Sequence, residues 1–186
     1  MRFKAKRFYR SKNDFQDLYF GLKQISCPHC KYIGTLIMHG YLRGYDEKNY
    51  GKRIIRGRRI FCSNRFKKSG CGKTFSVFKS NIIKGFNITA DSLWKFLKNI
   101  SNGINKFKSF KDIALSFSNT TIYRLYKRFK YQQTNIRTAL SRIHLKSKTC
   151  SNKNPVVQTI LHLKLAFNHL PCPISAYQIH FQKAFL

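Results

Sequence analysis

The sequence predicts an α+β chain in which a small three-stranded unit organised by cysteines precedes a three-helix bundle. Two cysteine pairs, Cys27/Cys30 and Cys62/Cys71, bracket short β-prone runs. Apolar residues then recur at helical spacing between Leu93 and Phe129. At 186 residues the chain makes one ordinary domain or two small ones, and a small domain buries too little apolar surface to dispense with a staple.

Four pieces follow in order. Residues 1–22 form a basic, aromatic-dotted arm, 23–80 carry the cysteines and Gly-rich turns, 81–145 have helical periodicity, and 146–186 form an apolar tail. In the second piece TLIMHGYL (35–42) and RIIRGRRIF (53–61) read as strands, separated by the turn signals of RGYDEKNYGK. TFSVF (74–78) makes a third strand after the second cysteine pair.

The third piece begins with Thr89 as a helix cap, followed by Leu93, Phe96, Leu97 and Ile100 at i, i+3, i+4 and i+7; Asn102-Gly103 stops that helix. Ser109-x-x-Asp112 reads as a capping box ahead of Ile113, Ala114 and Phe117. A third helix starts at Asn119 and places Ile122, Leu125, Tyr126 and Phe129 on one face.

Charge narrows the partner. Thirty-seven Lys and Arg against six acids give +31. Such a surface repels itself unless a polyanion neutralises it, so nucleic acid leads and an anionic membrane surface is the rival. Against the membrane, no apolar run approaches the roughly 20 residues of a spanning helix, and the stretch 156–170 is broken by Gln158, His162, Lys164 and Asn168. The basic N-terminus lacks the apolar core of a secretory signal, so the cytoplasm, in association with the nucleoid, is the expected location.

In a reducing compartment closely spaced cysteines are metal ligands rather than disulfides. Zn2+ takes four soft, deprotonated donors in a tetrahedron, and Cys27, Cys30, Cys62 and Cys71 supply them. The second pair is separated by eight residues, Ser63 to Gly70, against two in the first, so the insertion must loop out. His29 or His39 is an alternative fourth ligand, whereas Cys150 and Cys172 have no neighbour at ligand spacing.

Residues 52–84 contain eleven Lys or Arg and no acid. Arg53, Arg56, Arg58 and Arg59 lie on the predicted second strand, and Arg65, Lys67 and Lys68 on the loop between ligands. Either these form a phosphate-binding surface or they are a solvated charge run.

The segments CPHC, GYLRGY, RIIRGRRIFC and CGKTFSV together resemble the zinc ribbon at the N-terminus of bacterial insertion-sequence transposases and their DNA-binding accessory proteins. FKDIALSFSNTTIYRLYKRF (110–129) resembles the helix-turn-helix that follows such ribbons. The resemblance implies that Ala114 packs between helices, that Asn119, Thr120 and Thr121 approach phosphates or base edges, and that Arg124, Lys127 and Arg128 extend along the exposed side. A plain helical bundle with a solvated basic face is the alternative.

Strand transfer needs carboxylates converging on metal ions. After Asp112 there are 74 residues without an acid, and the sole glutamate, Glu47, sits in a predicted turn. SGCGKT is too short for a phosphate-binding P-loop, and histidines 144, 162, 169 and 180 have no metal spacing. The expectation is a non-enzymatic, zinc-stabilised duplex DNA-binding protein, transposase-derived or accessory, without a strand-transfer core. Further candidate partners are a second copy of the chain and a transposase catalytic subunit.

Two other functions fit the same residues. RNA or single-stranded nucleic acid could stack on Phe61, Phe66 and Phe75. A structural, partner-recruiting module would instead use the apolar tail, which reads as a packed helix, an interface or a remnant.

Overall fold

A computed structural model of the chain describes residues 3–113, 118–143 and 154–186. It is a mixed α+β structure in two compact units, one made of residues 1–45 and 51–80, the other of residues 46–50 and 81–186.

The first unit is built on a four-stranded sheet in which residues 8–9, 74–79, 53–62 and 36–45 lie side by side in that order. Strands β4 (Leu36–Tyr45), β5 (Arg53–Cys62) and β6 (Thr74–Lys79) cover the three strand runs the sequence predicts and form an antiparallel meander, β4 extending to Tyr45 into the predicted turn. The difference lies in the arm. Its β2 (Phe8–Tyr9) adds to β6 in parallel, and β1 (Phe3–Lys4) pairs with β3 (Ile25–Ser26).

Between them the arm folds into helix α1 (Lys12–Gly21). Ser11 accepts from the Asp14 amide at 3.1 Å, and Asp14 accepts from the Ser11 and Arg10 amides at 3.3 and 2.9 Å. This reciprocal cap satisfies amides that a helix start leaves open. The helix buries Leu18, and the following turn Leu22, against Tyr9, Leu36, Ile60, Phe75 and Val77. That core is small, and Cys27 and Cys62 are part of it.

The second unit holds five helices among the described residues: α2 (Ala90–Ser101), α3 (Lys106–Lys111), α4 (Asn119–Leu140), α5 (Pro155–Ala166) and α6 (Pro173–Phe181). Thr89 caps α2 by accepting from the Ser92 amide at 3.2 Å, and Gly103 follows its end at a φ of 83°. Leu93, Phe96, Leu97, Ile122, Leu125 and Phe129 are buried, while Tyr126 packs at the edge of the core.

Ser109 behaves differently from its predicted role. It lies inside α3, where its hydroxyl donates to the carbonyls of Asn105 and Ile104 at 2.8 and 3.2 Å; Asn105 caps the helix instead. A Ser hydroxyl one turn after a carbonyl satisfies itself on that carbonyl, which removes it as a cap. Ala114 and Phe117 of that prediction lie outside the described residues, as do Cys150 and His144.

The tail is a packed element over residues 154–186, bringing the predicted three helices to five. Ile160, Leu163, Phe167, Ile174, Tyr177 and Phe185 enter the core of α2 and α4. Gln178 fastens the end of the chain, donating from Nε2 to the Ile82 carbonyl at 3.0 Å and accepting from the Phe185 amide at 3.1 Å.

Glu47 also belongs to this unit. Its carboxylate accepts from the Thr89 amide at 2.7 Å and from the Thr89 and Ser92 hydroxyls at 3.0 Å each. The lone glutamate, only 8% exposed, is thus spent on the positive end of α2.

Candidate metal centre and basic surface

The four predicted cysteines converge. All their sulfur atoms lie within 4.8 Å of one another, with Cys27 to Cys71 at 3.9 Å and Cys30 to Cys62 at 3.6 Å. Among the described residues this is the one group of three or more Cys, His, Asp or Glu side chains placed to hold a metal ion. His29 and His39 are not in it; His39 stands beside the Phe61 ring at 5.4 Å. Cys172 is buried separately in the helical core, where burial pushes its thiol up.

Two backbone knuckles deliver the thiols, and their hydrogen bonds match. In the first, the Lys31 amide donates to the Cys27 carbonyl at 3.0 Å and the Cys27 amide to the Tyr32 carbonyl at 2.9 Å. In the second, the Gly72 amide donates to the Cys62 carbonyl at 3.0 Å and the Cys62 amide to the Lys73 carbonyl at 2.9 Å. The residue after each second cysteine is left-handed, Lys31 at a φ of 66° and Gly72 at 68°.

The eight-residue insertion leaves this frame undisturbed because it closes on itself. The Gly70 amide donates to the Ser63 carbonyl at 3.1 Å, and any Cβ on Gly70 would collide with that carbonyl oxygen. Only glycine permits so close an approach of two backbones.

Backbone dipoles are aimed at the sulfurs. Amides of His29 and Cys71 donate to the sulfurs of Cys27 and Cys62 at 3.4 Å each, and the Thr35 hydroxyl lies 3.2 Å from Cys62. As protein groups alone the thiols are unequal. The Tyr32 amide beside Cys30 brings its thiol down to about 7, whereas burial pushes Cys62 up to about 12. A bound cation would favour the thiolate at both.

The predicted basic residues separate into accessible and inaccessible ones. Arg53 and Arg59 on β5 are exposed, as are Arg65, Lys67 and Lys68 on the insertion. Arg58 is half-buried, its guanidinium 3.4 Å from the Tyr41 ring centre and 5.5 Å from that of Phe15. Arg56 departs from expectation. It is 7% exposed, its stem lying across Gly44, so it does not belong to the accessible surface. Along β5 it shares the face of Ile54 and Ile60, and the β4–β5 register shifts beside it, Leu42 facing Gly57 and Arg43 facing Ile55.

On α4, Thr120, Arg124, Lys127 and Arg128 are exposed and Thr121 is half-buried. Ser118 hydrogen-bonds the Thr120 and Thr121 hydroxyls at 3.0 and 3.3 Å. Asn119 opens the helix through its backbone.

Of the predicted stacking aromatics, Phe75 is core, 5% exposed, and Phe61 is half-buried against Arg65 and His39. Sequence reasoning missed Tyr41 and Tyr45, which flank Arg58 and Arg53 on the outer hairpin. The alternation Tyr41, Arg43, Tyr45 was the available signal. No known protein family, curated protein or solved structure matches the chain.

Proposed function

We propose that the chain is a zinc-stabilised duplex DNA-binding protein, acting by recognition alone in the manner of the DNA-binding half of an insertion-sequence transposase. One observation carries the reading: four convergent thiols pin a cationic insertion on a chain of +31. A metal–sulfur bond of about 2.3 Å in a tetrahedron puts sulfurs about 3.8 Å apart. Separations of 3.6 and 3.9 Å fit that edge, and four thiolates suit zinc by charge and softness.

Ordering the insertion before it meets DNA lowers the cost of docking on phosphates. Arg53, Arg59, Arg65, Lys67 and Lys68 supply affinity from the first unit. The exposed face of α4, with Thr120, Thr121, Arg124, Lys127 and Arg128, supplies a second basic surface and any base reading.

Recognition without catalysis is supported by the use made of three of the six acids. Glu47 and Asp14 cap helices, and Asp46 accepts from the Lys48 and Asn49 amides at 2.9 and 3.1 Å in a turn.

The test is metal analysis of the purified protein followed by duplex binding across a salt series. One equivalent of zinc and a steep fall of affinity with salt are expected. Absence of metal from a folded protein defeats the zinc reading; affinity indifferent to salt, or confined to RNA, defeats the DNA reading.

A further inference from the structure

Phe66 is the most exposed large apolar side chain among the described residues, at 91%. It stands on the insertion between Cys62 and Cys71, with Arg65 before it and Lys67 and Lys68 after it. The Lys68 amide donates to the Arg65 carbonyl at 3.2 Å, closing a turn whose central residues are Phe66 at a φ of 53° and Lys67 at 61°.

Two positive φ values in succession are the type I′ pattern, which favours Asn-Gly. Phe and Lys are both poor choices there, since a side chain in the left-handed region meets its own carbonyl. Neither burial nor turn preference accounts for a phenylalanine at this tip.

Its surroundings point to a polyanion. No acid occurs between Glu47 and Asp91 in the sequence. Lys68 also faces Lys23, whose ammonium is pushed below its ordinary value first by burial and then by repulsion from Lys68. Two neighbouring ammonium groups on this unit make a place for a phosphate oxygen. An aromatic ring framed by cations and pinned at its base by the metal centre has the form of an apolar wedge flanked by backbone clamps.

We propose that Phe66 inserts between adjacent base pairs of the bound duplex, partly unstacking and kinking that step while Arg65, Lys67 and Lys68 hold the flanking phosphates. This rests on the duplex-binding reading above and adds a deformation of the DNA to it. The sequence preference it brings is for steps that unstack easily, such as TA and CA/TG.

The experiment uses the full zinc-loaded chain and a duplex carrying 2-aminopurine beside a central TA step, with end-to-end energy transfer reporting the bend. Wild-type protein should raise the 2-aminopurine fluorescence and bend the duplex by something in the range of roughly 20–90°. Phe66→Asn, which suits the turn, should keep metal content and melting temperature at or above wild type. It should abolish the fluorescence rise and the bend, and weaken binding by roughly tenfold with the salt slope unchanged. Phe66→Leu should retain part of the bend, because an aliphatic wedge also unstacks a step.

Duplex binding that is tight in the wild type, with the same fluorescence and bend in Phe66→Asn, overturns the wedge and leaves the DNA reading standing. Failure of the wild type to bind duplex overturns both. Tight binding to single strands only, weakened by Phe66→Asn, also overturns the wedge, because the ring would then be stacking on bases already unpaired.

Discussion

The two knuckles of the cysteine cluster share one hydrogen-bond frame and differ in what they enclose. Cys27 and Cys30 are separated by Pro28 and His29, whereas Cys62 and Cys71 hold eight residues, three of them cationic and one an exposed phenylalanine. Each frame is closed by an amide to the first cysteine's carbonyl at 3.0 Å and a return bond at 2.9 Å. The shared frame therefore constrains the flanks of a knuckle and not its interior. The short knuckle is fully used in holding sulfurs; the long one has room for a second task.

Breaking the frame on either side should give the largest effect. Cys27→Ser and Cys62→Ser should each lose the metal and unfold the first unit, because structural zinc supplies on the order of 10 kcal/mol to small domains. Circular dichroism should retain the helices of the second unit, whose core contains none of the four ligands. Metal retained with an unchanged melting curve in either variant would refute the shared role.

Closing the long knuckle by glycine should matter next. Gly70→Ala brings a methyl group into the Ser63 carbonyl and should cost about 2–3 kcal/mol. Gly34→Ala, at a φ of 82° but with open space around it, should cost only about 1 kcal/mol. Denaturant titration of the two variants measures the difference. Equal costs would mean that the insertion is not closed at its base.

Replacing Asn64–Ser69 with a short link sharpens the division of labour. Metal content should stay at wild type and stability should move by no more than about 1 kcal/mol, since loop closure depends weakly on length. The salt slope of DNA binding should fall by about 3, one for each of Arg65, Lys67 and Lys68.

The smallest effects separate a packed cation from a free one. Lys68→Ala should lower the slope by about 1 without changing stability. Arg58→Ala should lower it by less and cost about 1 kcal/mol, because that guanidinium lies against Tyr41 and Phe15. Identical behaviour of the two would show that the stacking is inconsequential.

Local signals were legible where a residue's role is completed within a few positions. The cysteine spacing, the strand runs after Thr35, Lys52 and Lys73, and the Thr89 cap all reappear in the structure. Ser11-x-x-Asp14 carried the same kind of signal as Thr89, yet lay inside a segment dominated by its charge. Ser109 matched a capping pattern in letters only, since a carbonyl one turn back competes for its hydroxyl.

What the sequence by itself determined is chemical: four thiols in two pairs, a charge of +31, and the periodicities that make strands and helices. Those properties belong to residue types and short spacings, and no folding changes them. Only the tertiary structure decided that Glu47 caps α2, that Gln178 ties the chain end to Ile82, that Arg56 is covered and Phe66 bare. Each depends on how segments distant in sequence pack, and burial is a property of the assembled core rather than of any residue in it.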